Sequence, residues 1–219
     1  MRIPIAIVLS ILVWQQRSAG APSAAPDADA IAQYRAYVAA VRAGKIDDAI
    51  KLVEPVPESC KPLLNARIKM AIAVEALKKE MIAQMGPPRI EEEGWAIGGL
   101  PYDDLLKSLK GVAQGENVTV LVATNPRTKQ EGSSGWMVRR SGKWVVPATM
   151  VMDLQPPEDP SAPFAVPSEF DLAEDTKYAD STRRAADAVL KRLQSKEFKN
   201  PAEVVRAFGD EMKKEKGPR

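Results

Sequence analysis

The chain has 219 residues, no histidine and a single cysteine, Cys60, with 31 Lys and Arg against 29 Asp and Glu. Without histidine it cannot by itself assemble a Ser-His-Asp triad, a Cys-His dyad, a His-bound zinc or a His-ligated haem, and one cysteine excludes a disulfide within the chain. Assigning Arg2 and Arg17 to a leader leaves 29 charges of each sign, a neutral remainder with no basic excess for nucleic acid, and no metal or cofactor signature is present.

Arg2 precedes an apolar run over residues 3–14, followed by Gln15-Gln16-Arg17 and the small residues Ser18-Ala19-Gly20-Ala21. That order of charge, short apolar core and small-residue cut site predicts a secretory signal over residues 1–20, cleaved after Gly20. The run falls short of the roughly 20 residues a bilayer span needs, so an uncleaved membrane anchor is the lesser alternative. The expected location is periplasmic or secreted, with no membrane association after cleavage. Residues 21–26 read as a flexible start to the mature chain.

Residues 27–153 read as one α+β domain. Asp27 or Asp29 can cap a helix that carries Ile31, Tyr34, Val38 and Val41 on one face and ends at Gly44. Ile46, Ala49, Ile50 and Val53 continue the period until Pro55 and Pro57. The longest helix is predicted over residues 59–85. One of its apolar rows runs through Leu64, Ile68 and Ile72, and a second through Met70, Val74, Leu77, Met81 and Met85. So wide a face suits a helix lying across a sheet. Cys60 is expected as a buried thiol, Met70, Met81 and Met85 as core filling, and Tyr34 and Tyr37 as packing residues with surface hydroxyls.

Residues 86–104 form the least regular part, with Glu91-Glu92-Glu93, Gly94-Trp95, Gly98-Gly99 and Tyr102-Asp103-Asp104. The carboxylates lack the Asp–Gly alternation of a calcium loop and read as a solvated charge run; Glu92 and Asp103 remain conceivable acid–base partners whose separation the sequence does not set. Residues 105–114 fit either a short helix or a strand, with a strand favoured in the second half. Val118-Thr119-Val120-Leu121-Val122-Ala123-Thr124 is a β-branched strand with two largely apolar faces, which implies full cover on one side and partial cover on the other. Residues 125–135 read as an exposed, mobile loop. Trp136-Met137-Val138-Arg139-Arg140 and Trp144-Val145-Val146 then flank the turn Ser141-Gly142-Lys143, and Pro147 requires an edge or a bulge.

The order helix, Ala43-Gly44-Lys45-Ile46-Asp47-Asp48-Ala49 turn, helix, irregular segment and hairpins ending in the Met137-to-Val146 run resembles the NTF2-like superfamily over about residues 28–153. The resemblance implies helices packed on a small curved antiparallel sheet and a cone-shaped cavity, with Trp95, Tyr102, Trp136 and Trp144 as candidate ligand-binding residues. No position matches a catalytic residue of the isomerase-like members, so none is assigned.

Residues 154–168 hold Pro156, Pro157, Pro160, Pro163 and Pro167, the composition of an extended linker. Beyond it, helical spacing begins at Asp175, and Asn200-Pro201-Ala202-Glu203 has the cap, first-turn proline and returning acid of a second helix start. Residues 169–219 are therefore expected as a helical pair too small for its own core, docking back on the sheet or engaging a partner. By exclusion, the sequence points to a non-catalytic exported module that binds a small apolar ligand or a protein partner. Two readings stand beside it: a pocket enzyme with carboxylate or tyrosine acid–base chemistry, and an envelope scaffold acting through the C-terminal helices.

Overall fold

Apolar residues at helical spacing form α1 (Ala28–Arg42), which buries Ala30, Tyr34, Tyr37, Val38 and Val41. In the computed structural model, which describes residues 28–86, 100–125, 129–159, 162 and 164–215, Gly44 closes α1 with φ +71°. The Gly44 and Lys45 amides donate back to the Val41 and Ala40 carbonyls at 3.0 and 2.9 Å, the paired bonds that satisfy a helix C-terminus. The expected signal and mature N-terminus, residues 1–26, lie outside the described residues.

After α2 (Ile46–Lys51), Val53 forms a parallel bridge with Val146. A single 3-10 turn (Glu58–Cys60) leads into α3 (Lys61–Met85), and Cys60 is buried there. Asp103–Lys107 forms the short helix α4, and four strands follow as an antiparallel meander: β1 (Lys110–Ala113), β2 (Val118–Thr124), β3 (Glu131–Arg140) and β4 (Lys143–Val145). The β3–β4 turn takes positive φ at both Ser141 (49°) and Gly142 (79°), the handedness that matches strand twist. Pro147 follows the edge strand and opens α5 (Ala148–Met152), a helix the sequence reading does not contain.

The expected mobile loop over residues 125–135 is corrected in its second half, because residues 131–135 belong to β3. Val122, Ala123 and Thr124 pair with Ser133, Gly132 and Glu131. The glycines and serines there have poor strand propensity, but they supply the backbone partners that the end of β2 requires, and pairing outweighs propensity. A register shift at Leu121/Val122 opposite Gly135, whose φ is +141°, accommodates the change.

The described residues bury two hydrophobic clusters, and α3 contributes to both. In the first, Leu63, Leu64 and Ile68 meet α1, α5 and the sheet residues Leu121, Ala123, Met137 and Trp144. In the second, Ala73, Val74, Leu77 and Met81 meet Ala186, Val189 and Leu193 of α6 (Glu169–Gln194) and Val204 and Ala207 of α7 (Pro201–Glu215). The expectation that α3 lies across the sheet is thereby corrected: α1 packs on β1 and β4, whereas α3 makes its most extensive contact with α6. Its face is wide because it serves two cores.

The fold is α+β, with N-terminal helices on a small antiparallel sheet and a C-terminal helical pair. That pair docks on α3, and α6 runs parallel to it, with Arg67 near Asp175 and Gln84 donating to the Leu193 carbonyl at 2.9 Å. Helix α6 begins six residues before the expected Asp175, because the Ser168 hydroxyl accepts from the Asp171 amide at 3.2 Å and caps it. The expected cap of α7 forms as read: Asn200 Oδ1 accepts from the Glu203 amide at 3.1 Å, and Glu203 accepts from the Lys199 amide at 2.7 Å.

Candidate functional site

Four aromatic residues carried the ligand-binding expectation, and the fold does not gather them. Trp95 lies outside the described residues. Trp136 pairs with Val120 and Trp144 with Arg139, which puts the two indoles on opposite faces of the sheet. Trp144 is buried in the first cluster with Met137 and Leu121, while Trp136 is half-buried on the other face among Val120, Val122 and Val145. Tyr102 sits at the start of α4 with the Lys78 ammonium 4.5 Å from its ring centre.

Tyr102 belongs instead to a polar cluster where α1, α3 and α4 meet. Glu75 and Lys78, one turn apart on α3, are both buried and joined at 2.8 Å. Glu75 Oε1 also accepts from the Leu100 amide at 3.1 Å, and Oε2 accepts from Arg42 Nε at 3.1 Å. Lys78 donates to the Leu100 carbonyl at 2.7 Å, and Arg42 continues to Asp103 and the Pro101 carbonyl. Burial raises the neighbouring Tyr34 hydroxyl to about 12, with Arg42 opposing the rise and Glu75 adding to it. Burial and then Glu75 raise Tyr102 as well. A desolvated carboxylate beside tyrosines has the composition of a proton-transfer site, yet both oxygens here are committed to fixed donors, which makes the cluster a structural pin.

Two further charged groups are held inside. Glu54 accepts from Arg140 Nε at 2.6 Å and from the Ala148 amide at 3.4 Å, and Arg140 Nη2 reaches the Ala162 carbonyl at 3.1 Å, which ties the proline-rich segment to the sheet. Arg67, 5% exposed, lies over Tyr178, its terminal nitrogens 3.7 Å from Asp153 and from Asp175 and its Nε without a partner.

A concave surface lies between the 3-10 turn with the start of α3 and the N-terminal part of α6. It is an open groove of about 660 Å³, with Ser59 and Pro62 on one wall and Leu172, Ala173 and Thr176 among the residues of the other. Its charged residues alternate in sign along α6 as Glu169, Lys177, Asp180 and Arg184. Arg184 is fixed by Glu215 at 2.7 Å and by the Ser181 hydroxyl at 3.2 Å.

Sequence reasoning did not single out Glu75, Lys78, Arg67 or the α6 groove residues. The available signal was charge at apolar positions: Arg67 stands between Ala66 and Ile68, and Glu75 follows Val74 inside the apolar rows of α3. Among the described residues no group of three or more acidic or cysteine side chains is placed to hold a metal, and no helix is long and apolar enough to cross a membrane. No family model matches the chain, and no curated protein or solved structure matches it either.

Proposed function

We propose that this chain is an exported, non-catalytic binding module that engages a polypeptide partner through the groove beside α6. The observation that carries this reading is the contrast between the groove and the carboxylate–tyrosine cluster. The groove is open, and its α6 wall carries both signs of charge opposite Ser59 and Pro62, whereas both oxygens of the Glu75 carboxylate are bound to Arg42, Lys78 and the Leu100 amide. A small apolar ligand calls for an enclosed apolar cavity, while a mixed-charge groove on a rigid scaffold suits a protein surface. The NTF2-like reading of residues 28–153 draws support from α1 lying against an antiparallel sheet. Export rests on the charge, apolar core and small-residue order of residues 1–21.

A photo-crosslinking residue placed at Thr176 in the groove, and separately at exposed Lys143 at the start of β4, tests the site in the cell of origin. Discrete adducts are expected from position 176 and not from position 143. Identical adducts from both positions, or none from 176, overturn the assignment. N-terminal sequencing of the exported chain is expected to begin at Ala21; finding the protein in the cytosol with residues 1–20 attached overturns the export claim.

A further inference from the structure

We infer that the occupant of the groove is a second copy of this chain, docked about a two-fold axis with the two α6 helices antiparallel. This rests on the reading of the groove as a polypeptide site and names its partner. The α6 residues along it, Glu169, Ala173, Thr176, Lys177, Asp180 and Arg184, recur at three, four and seven, so they share one helix face. A negative charge stands at the N-terminal end of this face and a positive one at its C-terminal end.

An axis passing between Thr176 and Lys177 sets Glu169 opposite the partner's Arg184 and Arg184 opposite the partner's Glu169. Each lies about 11 Å from the axis at the helical rise per residue. Lys177 then lies about one turn along the axis from the partner's Asp180, a span its four-carbon stem covers. Glu169 thus meets an Arg184 that also holds Glu215 within its own chain, and Lys177 meets Asp180, each twice over by symmetry, which is the self-complementarity an isologous contact requires. A parallel arrangement sets Glu169 against the partner's Glu169 and Arg184 against the partner's Arg184, and is rejected by repulsion.

Side-chain size points the same way. Ala173 and Thr176, nearest the axis, are small enough for close helix approach. Phe170, beside Glu169, is 73% exposed, and Val166 just before the helix is 50% exposed. These are large apolar groups at the end of the face that the second copy covers, and Phe170 meets the turn carrying the partner's Arg184, a guanidinium suited to stacking on an aromatic ring.

Sedimentation equilibrium of the mature full chain tests the arrangement. The wild type is expected to show twice the chain mass and to shift towards monomer as salt rises, since its pairs are solvent-accessible. Glu169→Arg alone and Arg184→Glu alone are each expected to be monomeric. Mixing those two single variants, or combining both changes in one chain, restores the doubled mass. The mixing arm guards against Arg184→Glu acting through its loss of Glu215, because a misfolded chain does not recover on mixing. A wild type that stays monomeric at every concentration, or single variants that remain dimeric, overturns the inference. A monomeric wild type that still yields adducts with another protein from position 176 removes the second copy and leaves the groove; absence of any adduct removes both.

Discussion

Replacing Glu75 by leucine isolates what the buried cluster contributes. The change leaves the Lys78 ammonium, 5% exposed, with the Leu100 carbonyl as its remaining hydrogen-bond acceptor and without its 2.8 Å carboxylate. Removing one partner of a buried pair costs about 3–5 kcal/mol, which for a domain of this size lowers the melting temperature by roughly 6–20 °C. Arg42 is less affected, because it is partly solvated and keeps Asp103 and the Pro101 carbonyl. Lys78→Leu is expected to cost less than Glu75→Leu, since Glu75 retains Arg42 and the Leu100 amide. The double variant Glu75→Leu/Lys78→Leu leaves no buried ammonium and should recover part of the loss, with a coupling of about 0.5–3 kcal/mol. Urea denaturation near neutral pH measures all four proteins on one scale. A Glu75→Leu cost below about 1 kcal/mol, or a double variant equal to the sum of the singles, refutes the claim that the pair is desolvated and interdependent.

Alkaline pH addresses Tyr34. Its hydroxyl, ordinarily near 10, is pushed up to about 12 by burial, so the folded chain keeps a proton that the unfolded chain gives up. The contribution is intact below pH 10 and is lost as pH rises towards 12, a two-unit displacement equivalent to about 3 kcal/mol; Tyr34→Phe should make that limb of the stability–pH curve shallower, with Tyr37, its hydroxyl also raised by burial, supplying the slope that remains, and an unchanged limb counts against the burial argument. Gly135→Ala forces an alanine into φ +141° with its Cβ 2.8 Å from Met150 Sδ, for an expected loss of about 1–3 kcal/mol in thermal unfolding. Measured against Met150→Ala alone, the same glycine change should cost less, because the contact is gone and the backbone strain remains; wild-type stability in Gly135→Ala would contradict the geometry. Truncation after Pro156 uncovers Leu77 and Met81, each worth about 1.5–3 kcal/mol when buried. The shortened chain should melt lower and bind a hydrophobic dye, and unchanged melting argues against docking on α3.

Elements whose signal is local were legible in the sequence. Helix α1 with its Gly44 stop, the Asn200–Glu203 start of α7 and the β-branched run of β2 each carry their structure in neighbouring residues. What stayed hidden depends on distant partners. Residues 131–135 have loop chemistry and become strand only because β2 needs them, and α5 has five residues, too few to show a period. The apolar rows of α3 correctly marked a helix with much to bury, but a row does not state whether its cover is a sheet or α6. The same limit applied to the candidate site. Tryptophans are conspicuous in sequence, yet the parity of β3 and β4 separates Trp136 from Trp144, while the cluster that forms draws on Glu75 and Lys78, charges masked by their apolar neighbours.

The parallel alignment of α3 and α6 carries a consequence for how the polypeptide reaches its native state. Parallel neighbours need a long return path, and here that path includes the entire meander, so Leu77 and Met81 wait for residues 186–207 before they are shielded. During synthesis from the N-terminus, all of the first cluster except its α6 member Leu172 can condense while the far half of α3 stands bare. Closure of such distant contacts is slow, and the interval is the window in which the nascent molecule is open to aggregation or to a chaperone.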